Sequence, residues 1–197
     1  MPAATITPTE LSPIDRKKLI PSSVLGVTVF VLTEMMFFGG LISAYLIVKA
    51  GNIMWPPPDQ PRLPITLTAF NTLFLVGSGI MVYLSNKSLA RGDNAASKKQ
   101  LGVVILFGIV FVGIQGFEWM RMLGHGLTMT SSTYGSFFYM IIGCHALHVF
   151  GALAVLIGVF FKFSKPDFKH SSYWGIQVFW YFVVGVWPII YILVYLS

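Results

Sequence analysis

YGSFFYMIIGCHALHVFGALAVLIGVFF, residues 134–161, contains no aspartate, glutamate, lysine or arginine. A helix needs roughly 20 mostly apolar residues to cross the hydrocarbon core of a bilayer, so an uncharged run of this length reads as a transmembrane span. Four more segments qualify: about Ser22–Val48, Pro64–Leu84, Leu101–Met122 and Trp174–Leu196. The 197-residue chain is 55% hydrophobic and 10% charged, where a soluble domain carries about 25% charge. Its mean hydropathy of +0.76 agrees. The expected fold is all-α: a polytopic membrane protein, residues 22–197 forming a bundle of five transmembrane helices. Residues 1–21 are a polar, proline-containing tail without the apolar core of a signal peptide, which makes the first span an uncleaved anchor.

The connections set the orientation. GNIMWPPPDQPRLP (51–64) carries five prolines and is expected to be extended through its middle. NKSLARGDNAASKK (86–99) has turn signals at Gly92, Asp93 and Asn94. LGHGLTMTSS (123–132) is short, and KFSKPDFKHSS (162–172) is basic. Arg16, Lys17, Lys18, Lys87, Arg91, Lys98, Lys99, Lys162, Lys165 and Lys169 fall on one side, against Lys49, Arg62 and Arg121 on the other. That bias predicts a cytoplasmic N-terminus and an outside C-terminus. The net charge of +6 is spread over short loops, which suits anionic lipid headgroups and argues against a nucleic-acid partner. Trp55 and Trp174 stand where indole rings suit the headgroup layer. The single cysteine, Cys144, excludes an intrachain disulfide and a thiolate zinc site, and reads as a small buried residue.

Ionisable groups inside the spans are costly and are functional candidates. Glu34 is the only charge in its span and lies roughly 15 Å from the inner end at 1.5 Å per residue. Gly39, Gly40, Ser43 and Ala44 follow it at a spacing that permits close helix approach. Gln115, Glu118 and Arg121 recur at three-residue intervals and form one stripe, with an interfacial Glu118–Arg121 ion pair as its plainest reading. His145 and His148 share a face of the fourth span, roughly 16 and 21 Å from its outer end and level with Glu34. A Glu34–histidine contact between the first and fourth helices is geometrically open. Gly151, one turn on, would admit a neighbouring helix. A heme held by two histidines needs them on opposite sides of the ring, and His125 and His170 lie in loops on opposite sides of the membrane. Imidazoles hydrogen-bonded to backbone, hydroxyl or carboxylate groups are therefore preferred to a heme or redox metal. No phosphate loop, dinucleotide fingerprint or nucleophile elbow is present.

Together these motifs resemble subunit III of the heme-copper respiratory oxidases in its five-helix bacterial form. TEMMFFGGLISAYL (33–46) is similar to that family's Ser-Glu-x-x-x-Phe segment and carries its membrane-embedded glutamate onto Glu34. QGFEW (115–119) is similar to Gln-x-x-Glu-Tyr and carries over Gln115 and Glu118. YGSFFYMIIGCHALHVFGAL (134–153) resembles Tyr-Gly-Ser-x-Phe-Phe followed by Gly-x-His-x-Leu-His-Val, carrying over His145 and His148. The last span departs. Where many members read Trp-His-x-x-Asp-x-x-Trp, this chain reads WYFVVGVW (180–187), with Tyr181 and Val184 at the histidine and aspartate positions.

The resemblance implies a non-catalytic chain of a proton-translocating terminal oxidase that reduces oxygen to water. Its hemes and copper would reside in partner subunits I and II, and this chain would hold neither metal nor cofactor. It would bind phospholipids, support proton uptake, stabilise the catalytic subunit and sit in a bacterial plasma (inner) membrane, with a larger respiratory supercomplex as a further partner. The alternatives are a subunit III-like accessory protein of a nitric oxide reductase system and a stand-alone proton-coupled transporter. The transporter reading lacks inverted repeats and broken helices. The electron donor, cytochrome c or quinol, is a property of other subunits.

Overall fold

The computed structural model describes residues 22–58, 60, 61, 63–163 and 170–196. The expected tail 1–21 lies outside them, as do Arg62, Lys165 and Lys169. Five helices run through the described residues, and no strand occurs among them: α1 (Ser22–Ala50), α2 (Ile65–Ala90), α3 (Asn94–Gly124), α4 (Thr133–Lys162) and α5 (His170–Ile190), the last continued by a π-helical turn, Tyr191–Tyr195. All five are long and apolar enough to cross a membrane. In hydrocarbon each backbone N–H and C=O must find its partner within the protein, and a continuous helix does this without help from its neighbours.

Helices reach beyond the apolar stretches that identify them. α2 continues past Leu84 to Ala90, and α3 starts at Asn94 rather than at Leu101. The polar residues between are helical because the turn is only Arg91–Asp93: Gly92 takes φ +80°, and the Asp93 side chain accepts the Ala96 N–H at 2.9 Å. So short a link forces α2 and α3 into antiparallel contact, and they pack along one another. α4 is capped in the same way, with Ser132 accepting the Gly135 N–H at 3.0 Å. α5 carries Pro188, which has no N–H to donate, and the wider π-turn follows within one turn of it.

α4 and α5 stand between the α2–α3 pair and α1, which packs on α5 and touches α4. α1 is the least buried of the five helices. The close approach that the spacing at Gly39 and Gly40 permits does not occur among the described residues: a Cβ at Gly39, Gly40 or Gly151 would meet none of their atoms within 4 Å. The tight contacts lie elsewhere. A Cβ on Gly108 of α3 would stand 2.6 Å from Leu153 Cδ2 and 3.0 Å from Trp180 Cη2. Gly108→Val is therefore expected to cost about 1–3 kcal/mol by overpacking, read as a lower thermal midpoint of the purified protein. A midpoint equal to that of the unsubstituted protein would show that Leu153 and Trp180 repack freely.

At the proline-loop end, Trp55 donates from Nε1 to the Tyr45 hydroxyl at 3.1 Å and meets Tyr134 edge-on at 5.4 Å. Its indole is half-buried against protein, so it pins the 51–64 loop to the start of α4. Trp174 is 45% exposed. Cys144 is half-buried.

Candidate functional site

Two polar centres sit inside the bundle, and each joins different helices. At the first, Glu34 of α1 meets His148 of α4. Glu34 lies twelve positions into α1, roughly 18 Å along it. His148 Nε2 is 3.0 Å from Glu34 Oε2, with 14% of the His148 side chain and 18% of the Glu34 side chain exposed. His148 Nδ1 lies 2.6 Å from the Cys144 carbonyl oxygen. A carbonyl only accepts, so Nδ1 carries a hydrogen. Nε2 is then either a second N–H facing a carboxylate or a bare nitrogen accepting from a protonated carboxyl. Either way a single proton occupies the Glu34–His148 bond and the pair is neutral overall, the form least costly in hydrocarbon. Phe38, Phe179 and Phe182 surround the imidazole at centroid distances of 5.4, 6.1 and 6.4 Å.

The second centre is nearer the proline-loop end. Glu118 of α3 is 2% exposed. Its Oε1 and Oε2 lie 2.9 and 3.0 Å from Thr68 Oγ1, and Gln115 Nε2 donates to Oε2 at 3.0 Å. Gln115 Nε2 also donates to the Tyr195 hydroxyl at 3.1 Å, while Asn71 Nδ2 donates to the Phe111 carbonyl at 3.0 Å. Thr68 Oγ1 is also 2.8 Å from the Pro64 carbonyl. The threonine has one hydrogen. If it goes to Pro64, Glu118 must donate to Thr68 as the acid; if it goes to Glu118, the carboxyl accepts it.

Not all of the expected stripe shares this centre. Gln115 and Glu118 are brought together, but Arg121 is exposed and forms no ion pair with Glu118. The carboxylate turns into the α2 interface, where Thr68 satisfies it, and the guanidinium stays at the surface. The Arg121 carbonyl instead lies 2.7 Å from His125 Nδ1. His145 also stands apart from the Glu34 pair. It is 1% exposed, stacks on Trp187 at 5.0 Å and 28°, and its Nε2 has no protein partner.

Several residues of these centres carry no charge and so no sequence signal. Thr68, Asn71 and Tyr195 are fully or nearly fully buried. So are Ser85, Ser97 and Tyr173, whose hydroxyls meet at the opposite end of the bundle, Ser85 Oγ lying 2.6 Å from the Tyr173 hydroxyl and 3.0 Å from Ser97 Oγ. The departures in the last span are also accounted for. Trp180 and Trp187 donate to Ser78 Oγ at 3.0 Å and Thr72 Oγ1 at 2.9 Å, fastening α5 to α2. Tyr181 is 41% exposed, and Val184 packs over Gly79 of α2, its Cγ1 lying 3.2 Å from where a Cβ would stand. At Val184 the α2–α5 contact is apolar packing.

Both nitrogens of His148 are committed, to Cys144 and to Glu34, and His145 has its face against Trp187. Among the described residues no three histidine, cysteine, aspartate or glutamate side chains gather as a metal site would require.

Residues 17–197 match the family model described as cytochrome c oxidase subunit III. The chain is 31% identical over 175 residues to a cytochrome c oxidase subunit 3 of Synechocystis sp., covering 87% of this chain and 74% of that one. It is 30% identical over 177 residues to that of Thermostichus vulcanus, covering 88% and 86%. A probable cytochrome c oxidase subunit 3 of Mycobacterium leprae is 31% identical over 179 residues, covering 87% and 86%.

Proposed function

The chain belongs to the cytochrome c oxidase subunit III family, and from that premise we propose that it is a non-catalytic member of its complex that braces the catalytic subunit. As an accessory subunit III of a heme-copper oxidase, it works within a multi-subunit oxidoreductase as a multi-pass membrane protein. The finer reading places hemes and copper in partner subunits I and II, phospholipids along the exposed faces of the helices, and the complex in a bacterial plasma membrane. The N-terminus is cytoplasmic in this reading, so the 51–64 and 125–132 loops lie outside. Proton uptake by the complex is supported, and not carried out, by this chain.

The observation that carries the reading is the Glu34–His148 bond. It joins the outlying α1 to α4 at mid-membrane with both imidazole nitrogens committed, which suits a group that fixes shape and holds one proton in place. Purification in mild detergent is expected to bring along heme-bearing partners, while the isolated chain shows no heme absorbance. A colourless, monodisperse particle that supports proton-coupled flux would overturn the proposal in favour of a transporter.

A further inference from the structure

A narrow crevice of about 80 Å3 runs between α3 and α4. Phe111, Gln115 and Trp119 line it from α3, and Ile142, His145 and Val149 from α4. These positions recur at three- and four-residue intervals, so the crevice follows the helix axes, with Trp187 of α5 also in its wall. The walls are almost wholly apolar, yet three of the lining residues carry polar groups with bonding capacity to spare. His145, 1% exposed, has no protein partner for Nε2. Trp119 has none for Nε1. Gln115 uses both hydrogens of its amide on Glu118 and Tyr195, while its Oε1 receives only a 3.5 Å contact from Asn71 Nδ2.

We propose that this crevice is a water-binding site, in which water bridges His145 Nε2, Trp119 Nε1 and Gln115 Oε1. The three groups make opposite demands. The indole N–H needs an acceptor, and the amide oxygen has room for a donor. His145 Nε2 needs one or the other according to its tautomer. An acyl chain offers neither role and an ester carbonyl only accepts, whereas water does both. The volume also fits, since a water takes about 30 Å3 at liquid density and the crevice therefore holds about two or three. Polar groups walled in by hydrocarbon are the setting in which buried water is retained, and a dry cavity is expected only where the lining is apolar throughout.

The site extends the Glu118 centre inward. Tyr195, which accepts from Gln115, also lines a cavity of about 690 Å3 beneath the proline-rich loop. Hydrogen bonding then runs from that cavity through Tyr195 and Gln115 to the crevice water and on to His145.

Cryo-electron microscopy of the intact oxidase complex, at a resolution that shows ordered water, tests the proposal. Discrete peaks within hydrogen-bonding reach of both His145 Nε2 and Trp119 Nε1 are expected. A continuous tube of acyl-chain density, or no density, overturns it. Gly116→Val supplies a second arm, because Gly116 lines the crevice and a Cβ there meets nothing within 4 Å. The variant chain is expected to remain in the complex with the peaks gone. Peaks that persist unchanged beside the new side chain would show that the crevice does not hold them.

Discussion

Gly135→Ala is expected to remove the chain from the purified complex. The added Cβ would collide with the Thr128 carbonyl oxygen, and would stand 3.0 Å from Ser131 Oγ and 3.3 Å from Leu127 Cδ1. A clash with the tip of a flexible side chain can be relieved by a rotamer change, but this one is with backbone. The 125–132 loop cannot retreat, because the start of α4 holds it at several points. Ser136 Oγ donates to the Met129 carbonyl at 2.6 Å, and the Tyr139 hydroxyl donates to the Leu127 carbonyl at 2.8 Å. Ser131 Oγ bridges the Thr128 N–H at 3.1 Å and its carbonyl at 2.9 Å. Leu127 itself is fully buried. Overpacking of well-packed sites costs about 1–3 kcal/mol, and a rigid backbone neighbour places this substitution at or above the upper end. Gly143→Ala is the control, since its Cβ meets nothing within 4 Å and α4 gains a better helix former. Retention through detergent solubilisation and the thermal midpoint are the measurements. If the Gly135→Ala protein matches the Gly143→Ala protein in both, the loop yields and its described rigidity is wrong.

The same stretch shows how much was legible beforehand. The run 134–161 carries no charge and the other four spans carry at most two each, so hydropathy alone finds all five helices. Hydropathy does not report which way a helix is rotated. The glycines after Glu34 have a spacing that admits a close neighbour, yet among the described residues nothing approaches Gly39 or Gly40. The close approach falls at Gly108 and Gly135, where neither periodicity nor a repeated small residue marks it. Charged groups were visible because they are rare in a span, which is why Glu34, Glu118 and the two histidines stood out. Their partners were not all so visible. Thr68 and Asn71 carry no charge, and only the α2–α3 register brings them to Glu118 and Gln115. Tyr195 reaches Gln115 from the π-turn beyond Pro188, a widening of the helix that spacing rules for a regular α-helix do not place. Arg121 shows the converse. It sits at a spacing that permits an ion pair with Glu118, but threonine and glutamine take the carboxyl inside the bundle and leave the guanidinium exposed.

Substitutions at Glu34 and His148 are expected to separate shape from proton chemistry. His148 presents Nε2 to Glu34 and has Nδ1 fixed by the Cys144 carbonyl. In Glu34→Gln the new amide N–H can donate to a bare Nε2, so the link between α1 and α4 survives in neutral form and assembly is expected to be unchanged. Glu34→Leu leaves Nε2 facing hydrocarbon, and His148→Leu does the same to the carboxyl. Each is expected to cost about 1–3 kcal/mol, the penalty of an orphaned buried polar group, and to appear as partial loss of the chain on purification. The carboxyl left by His148→Leu is the more polar of the two orphans, which places that variant at the upper end. In the double variant Glu34→Leu/His148→Leu no polar group remains unpaired, so the loss is expected to be smaller than the sum of the two single losses. Strict additivity would show that the 3.0 Å contact contributes nothing to stability. The glutamine variant then isolates the proton. If turnover is sustained as long as in the unsubstituted complex, the pair acts as a hydrogen bond alone. If the chain is fully retained while turnover decays faster, the carboxyl is needed as an acid, because the amide keeps the bond and lacks only the titratable proton.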